Sequence, residues 1–217
     1  MNPRMLTAPP LAEQVYEAII DDICNGVIRG GEQLRQEALA ERFGVSRQPV
    51  QHAMALLKRH GLVRESGKRG LEVVPMDSGF VDHLYDMRLL LDTYAVERSV
   101  PGLTEPAVRE QAQAILSRGK EAVERRNFAD MDTADADFHS FFYTLTDNPF
   151  LIDTATLLSQ SIRRVMTEVL SRGSVPEWVW DEHERILAAA ISGDTKLARR
   201  LASQHVEHGR SLMLTAL

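Results

Sequence analysis

"FGVSRQPVQHAMALLKRHGLV", residues 43–63, decides how the chain is read. Gly44 is the residue type that ends a helix through a left-handed turn, and Ser46 can cap the helix that follows. Pro49 falls in the first turn of that helix, where a missing N–H costs nothing. Val50, Ala53 and Leu57 recur at helical spacing, and Gly61 closes the segment. The opposite face presents Arg47, Gln48, Gln51 and His52. Two helices joined by so short a turn, the second with a polar leading face, follow the plan of a helix-turn-helix.

Working outward, "QEALAERF" supplies the first helix of the pair. Its Leu39 and Ala40, with Val45, join Val50, Ala53 and Leu57 in the expected buried frame. Further upstream, "LAEQVYEAIIDDICNGVI" repeats Leu11, Val15, Ile19 and Ile23 every four residues, which predicts a helix stopped by Gly30 and Gly31. Downstream, "LVRES-GKRG-LEVVP" reads as two short strands around a glycine-bounded basic turn. Helix, helix, turn, helix, hairpin is a winged helix-turn-helix over residues 11–76, preceded by a flexible N-terminus, residues 1–10. In such a unit the early residues of the second helix face base edges and basic neighbours hold phosphates. Arg35, Arg47, Gln48, Gln51, His52, Lys68, Arg69 and Gly70 are the expected DNA contacts. The plainer alternative is a protein-docking module with a solvated basic face.

Charge agrees with that division. The whole chain of 217 residues carries a net charge of -6, yet Arg35 to Arg69 holds 8 basic and 3 acidic residues. Residues 77–217 hold 15 basic and 22 acidic. A basic segment joined to an acidic domain places nucleic acid at one end only. The single Cys24 forms no intrachain disulfide and reads as a small core residue. The first ten residues lack the apolar run of a secretory signal, and no apolar stretch reaches membrane-spanning length. A soluble, cytoplasmic protein is the expectation.

After Pro75 the pattern is helical throughout, in segments of roughly 79–99, 104–126, 128–146, 148–171, 176–192 and 194–215. Six helices with short loops predict a mainly α fold: an antiparallel bundle over residues 77–217 behind the winged unit. In "MDTADADFHSFFYTL", Asp135 and His139 stand four apart, on one helix face. His183 lies beside the face of Ile186, Leu187 and Ala190, and His205 beside that of Leu201 and Ala202. Three imidazoles and a carboxylate from three helices suit a divalent transition metal. The alternative is a hydrogen-bonded Asp–His pair with two satisfied core histidines. Asp132 and His208 compete for ligand places. His52, His60 and His83 are poorer candidates. Arg88 shares a face with Leu84, Leu91 and Ala95; it reads either as an ion pair with Asp92 or as a fork for an effector carboxylate. Arg163, one turn after Ser159, is a second candidate for the fork.

"EALAERFGVSRQPVQHAMALLKRHGLV" followed by "GKRGLEVVP" resembles the GntR family of bacterial transcription regulators. The family usually has a proline where this chain has Gly30, and often an acidic residue where it has Gln36. It commonly reads Ser-Arg-Thr-Pro-Val-Arg-Glu-Ala where this chain reads Ser46-Arg47-Gln48-Pro49-Val50-Gln51-His52-Ala53. The resemblance implies that Arg47 contacts DNA. Gln51 in place of the family's Arg removes a charged donor fork and implies a changed base preference or weaker binding. "YDMRLLLDTYAVE", "DADFHSFFYTLTDNPFL", "DEHERILAAAISGD" and "LARRLASQHVEH" resemble the FCD ligand-binding domain of one GntR subfamily. That resemblance implies metal ligation, commonly zinc or nickel, by Asp135, His139, His183 and His205. It places an Arg at Arg88, usually followed four residues later by Glu where this chain has Asp92. The expected function is a homodimeric repressor with a pseudo-palindromic DNA operator, modulated by a small organic acid effector at the metal and Arg88. The rivals are a metal-dependent hydrolase or oxygenase, against which no general base or nucleophile motif is found, and a regulator whose metal is purely structural.

Overall fold

The computed structural model describes residues 10–67, 70–171 and 178–217. The expectations placed on residues 1–9, on Lys68 and Arg69, and on the start of a helix at 176 lie outside them. The chain divides between Pro75 and Met76 into two compact units.

In the N-terminal unit, α1 (Leu11–Cys24), α2 (Gln36–Phe43) and α3 (Arg47–Arg59) enclose an apolar core with a small sheet. Leu39, Ala40, Val50, Ala53 and Leu57 are buried as the frame requires, with Val45 partly buried against them. Gly44, at φ 64, makes the left-handed turn between α2 and α3 that few other residues adopt.

Three local readings are corrected. First, α1 ends at Cys24, well before Gly30 and Gly31. Asn25 and Gly26 cap it, with Gly26 at φ 71, and Ile28 returns to the core from a turn. Second, Ser46 occupies the capping position in extended backbone, but its side chain makes no capping bond. Gln36 instead ties the heads of α2 and α3, its Nε2 donating to the Arg47 carbonyl over 2.8 Å. Third, the wing has a strand that the pattern hid. Gln33–Leu34 (β1) pairs antiparallel with Gly70–Val73 (β3), which also pairs with Val63–Ser66 (β2), giving the order β1-β3-β2. A two-residue strand has no period to read.

The C-terminal unit is an all-helical bundle: α4 (Ser78–Ser99), α5 (Pro106–Glu124), α6 (Phe128–Leu145), α7 (Pro149–Ser171), α8 (Trp178–Ile191) and α9 (Thr195–Ala216). The break expected at Pro101–Gly102 is a 3-10 turn, Val100–Thr104, and α5 begins two residues later than predicted, with Pro106 in its first turn. Asp77, Asn127 and Asp194 cap α4, α6 and α9 through their side chains. The architecture is the predicted one, a mainly α chain with a winged unit followed by a helical bundle. The main core gathers Phe138, Phe141, Phe142, Trp180, Ile186 and Leu187 with their neighbours, and a smaller cluster forms around Tyr85 and Val165. Gly119 on α5 makes room for Trp180, since a Cβ there would fall 1.9 Å from the indole.

Candidate metal centre and DNA-reading helix

Four side chains of metal-ligating type meet inside the bundle. Asp135 and His139 on α6, His183 on α8 and His205 on α9 converge, each offering a ligand atom, and these atoms lie within 4.8 Å of one another. Asp135, His183 and His205 are buried, His183 completely. The His183 and His205 Nε2 atoms are 3.1 Å apart, and Asp135 Oδ1 lies 3.6 Å from His183 Nε2 and 3.8 Å from His139 Nε2. Two nitrogens sharing one zinc at about 2.0–2.1 Å stand roughly 3 Å apart.

The surroundings decide which ring nitrogens face inward. His139 Nδ1 lies 3.3 Å from Asp92 Oδ2, and His205 Nδ1 lies 3.0 Å from Glu182 Oε2. Ionised carboxylates only accept, so both rings carry their hydrogen on Nδ1 and turn an Nε2 lone pair toward the cluster. His183 has no such partner. Its Nδ1 is buried without a hydrogen bond, while its ring stacks on Phe138 at 4.0 Å and meets the edge of Trp180. Burial, then the neighbouring His205, His139 and Arg88, push the His183 imidazole well below its ordinary pKa. Burial also lowers the pKa of His205, against the opposing Glu182 hydrogen bond. Three imidazoles turning Nε2 inward beside one carboxylate are the donor set that a divalent transition metal takes, so the residues present fit the group.

Arg88 joins this cluster from α4. It is 4% exposed, as its helical face predicted. Its Nε reaches Asp92 at 3.2 Å, and its Nη2 lies 3.7 Å from Asp135 and 2.5 Å from His139 Nε2. The Asp92 ion pair is therefore present, but deep in the bundle. Asp92 also accepts from the Tyr143 hydroxyl. Burial alone would raise its pKa, yet His139, Arg88 and Tyr143 together hold the carboxyl well below its usual range. Arg163 meets Asp132, with its Nε 3.9 Å from the carboxylate. Asp132 is thus an ion-pair partner outside the cluster, its pKa pushed up to about 6 by burial and by Asp135. His208 is outside as well. It is exposed and donates from Nδ1 to Glu182 over 2.6 Å. His60 pairs with Tyr16 in the other unit. Sequence reasoning missed Glu182 and the second role of Asp92; the only local signal was the acidic residue directly before His183.

In the N-terminal unit, Arg47, Gln48, Gln51 and His52 are all exposed along the first turns of α3. Arg47 pairs with Glu37 at 3.2 Å. Arg35 precedes α2 and Gly70 opens β3; both line an open cleft of about 810 Å³ between the strands and the head of α2.

The family model "FCD domain" matches residues 83–208, and "Bacterial regulatory proteins, gntR family" matches residues 11–73. The chain belongs to the GntR family of bacterial regulatory proteins, in its FCD-domain branch. It is accordingly a DNA-binding transcription regulator and not an enzyme. It is 27% identical over 198 residues to the HTH-type transcriptional repressor RspR of Escherichia coli strain K12, covering 91% of this chain and 86% of the relative. The gluconate operon transcriptional repressor of Bacillus subtilis strain 168 is 29% identical over 186 residues, with 81% and 73% covered. The solved structure of E. coli McbR/YncC shares the fold with a TM-score of 0.77 at 19% identity, over 96% of this chain and 99% of that one. Among the described residues no helix is long and apolar enough to cross a membrane.

Proposed function

We propose that the protein is a homodimeric transcriptional repressor whose hold on its operator is set by a small carboxylate bound at a metal centre in the bundle. Asp135, His139, His183 and His205 hold the metal, zinc or nickel by the chemistry of the donors. The observation that carries this is their convergence within 4.8 Å, with two of the imidazoles oriented by carboxylates, buried Asp92 and half-buried Glu182. When bound, the metal supplies a Lewis-acidic point for an anionic oxygen; Arg88 supplies a guanidinium fork beside it, and Arg163 a second cation toward Asp132. Residues 11–76 read DNA through Arg35, Arg47, Gln48, Gln51, His52, Lys68, Arg69 and Gly70, and residues 77–217 sense and dimerise. Two dimer-related copies of α3 read half-sites about one DNA turn apart. The named repressors among the relatives support repression as the mode.

The cavity beside His139 and His205, lined also by Asp92, Phe138, Phe142 and Tyr143, measures about 10 Å³. That is the space of about one water, so an effector of several atoms enters only if these side chains move. The movement gives the ligand two arrangements to discriminate, which population shift requires. The same tightness also favours a second reading, in which the metal is purely structural. Metal analysis of tag-free protein with His139→Ala and His183→Ala tests the centre. About one metal per subunit, lost in both variants, is expected; none in wild type after zinc or nickel loading sinks it. Operator release by carboxylic acids then separates the sensing centre from the structural one. Operator selection by wild type and Gln51→Arg tests base reading, and identical preferred sites would remove Gln51 from it.

A further inference from the structure

Glu182 receives hydrogen bonds on both carboxylate oxygens: Oε2 from His205 Nδ1 at 3.0 Å and Oε1 from His208 Nδ1 at 2.6 Å. His205 and His208 stand three apart on α9, hence on one face, and Glu182 reaches them from α8. The His205 side chain is 7% exposed and that of His208 58% exposed, with Glu182 between them at 15%. From these contacts we infer that Glu182, anchored from the surface by His208, is the positioning residue that keeps His205 turned as a metal ligand. This rests on the metal reading above and adds a residue class to it, a surface-linked support that touches no metal itself.

The argument is one of tautomer and orientation. An imidazole that donates from Nδ1 to a carboxylate has its Nε2 lone pair free and its ring angle fixed. His139 obtains this from Asp92, which Arg88 and Tyr143 lock inside the bundle. His183 obtains its ring angle from stacking on Phe138 and from no Nδ1 partner. His205 depends on Glu182, the one support among the three whose anchor lies in solvent. Burial opposes ionisation of Glu182, but its imidazole hydrogen bonds together outweigh this and keep the carboxyl below its usual range. A change at exposed His208 therefore reaches a buried ligand through a single side chain.

The test compares wild type, Glu182→Ala, Glu182→Gln and His208→Ala, with exposed His83→Ala as the control. Zinc affinity is measured by chelator competition and the ligand field by the visible spectrum of the cobalt form. The His205 tautomer is read by 15N NMR without metal. Glu182→Ala is expected to weaken zinc binding about 10–100-fold, to shift the cobalt bands and to mix the His205 tautomers, with helicity retained. Glu182→Gln recovers part of the loss, because its amide oxygen still accepts from Nδ1. His208→Ala gives a smaller loss in the same direction, and His83→Ala none. Wild-type zinc affinity and cobalt bands in Glu182→Ala would overturn the positioning role while leaving the metal centre intact. Wild type that binds neither zinc nor cobalt would overturn the metal reading itself.

Discussion

Arg47 and Arg88 are the same residue type used in opposite ways. The Arg47 side chain is 69% exposed and meets one acidic partner, Glu37, in a pair of the kind worth ~0–1 kcal/mol. Arg88 is 4% exposed and is held by Asp92, Asp135 and His139, with its guanidinium over the Tyr85 ring. The difference marks two designs. On α3 the residues proposed to read DNA project outward, apart from the frame of Val50, Ala53 and Leu57. In the bundle the residues proposed to sense are also the residues that compensate one another's burial, so none changes alone.

The largest expected effect attacks the second region. Arg88→Ala leaves Asp92 buried without its cation and is expected to cost about 3–5 kcal/mol of stability, measured by urea unfolding. A wild-type urea midpoint would end the contrast. Tyr143→Phe removes a hydroxyl donor to the Asp92 carboxylate, and about 1.5–3 kcal/mol is expected, by the same measurement. At the first region, Arg47→Ala should weaken operator binding by about 1–3 kcal/mol while the unfolding midpoint barely moves. A titration by fluorescence anisotropy beside a melting curve separates the two.

A further expected effect concerns pH. Asp132 keeps its proton in the fold up to about pH 6, whereas its ordinary value is 3.8. Across that window the folded chain binds more protons than the unfolded one, so this residue's contribution to stability falls as pH rises from 3.8 to about 6 and then stays level. Asp132→Asn should flatten that decline in urea midpoints taken from pH 4 to 7. Parallel curves for the two proteins would show that Asp132 titrates normally.

The two regions were also unequally legible. The helix-turn-helix is written in local signals: Gly44 and Gly61 as stops, Pro49 as a start, and an apolar period that burial at Val50, Ala53 and Leu57 obeys. The order of the six bundle helices was legible for the same reason. Local signals fail where a partner is distant. Asp92 meets His139 across α4 and α6, and Glu182 meets His205 across α8 and α9; no spacing within one helix encodes either meeting. Glu182 and His183 are consecutive, roughly 100° apart around α8, so a face-by-face reading assigns only one of them to the interior. The end of α1 was misread because a glycine pair looked stronger than Asn25–Gly26, although the latter has the capping geometry.

The chain has two tryptophans, and each touches a histidine of this neighbourhood. The Trp180 ring lies 4.9 Å from His183 inside the bundle, and the Trp178 ring 5.8 Å from His208 at its surface. Intrinsic fluorescence is therefore a two-channel readout already built into the protein. A buried, blue-shifted indole reports on the cluster, and a more solvated one reports on the outer end of Glu182. Replacing either tryptophan by phenylalanine isolates the other channel, so events at the two ends can be timed against each other in a single stopped-flow trace without any added label.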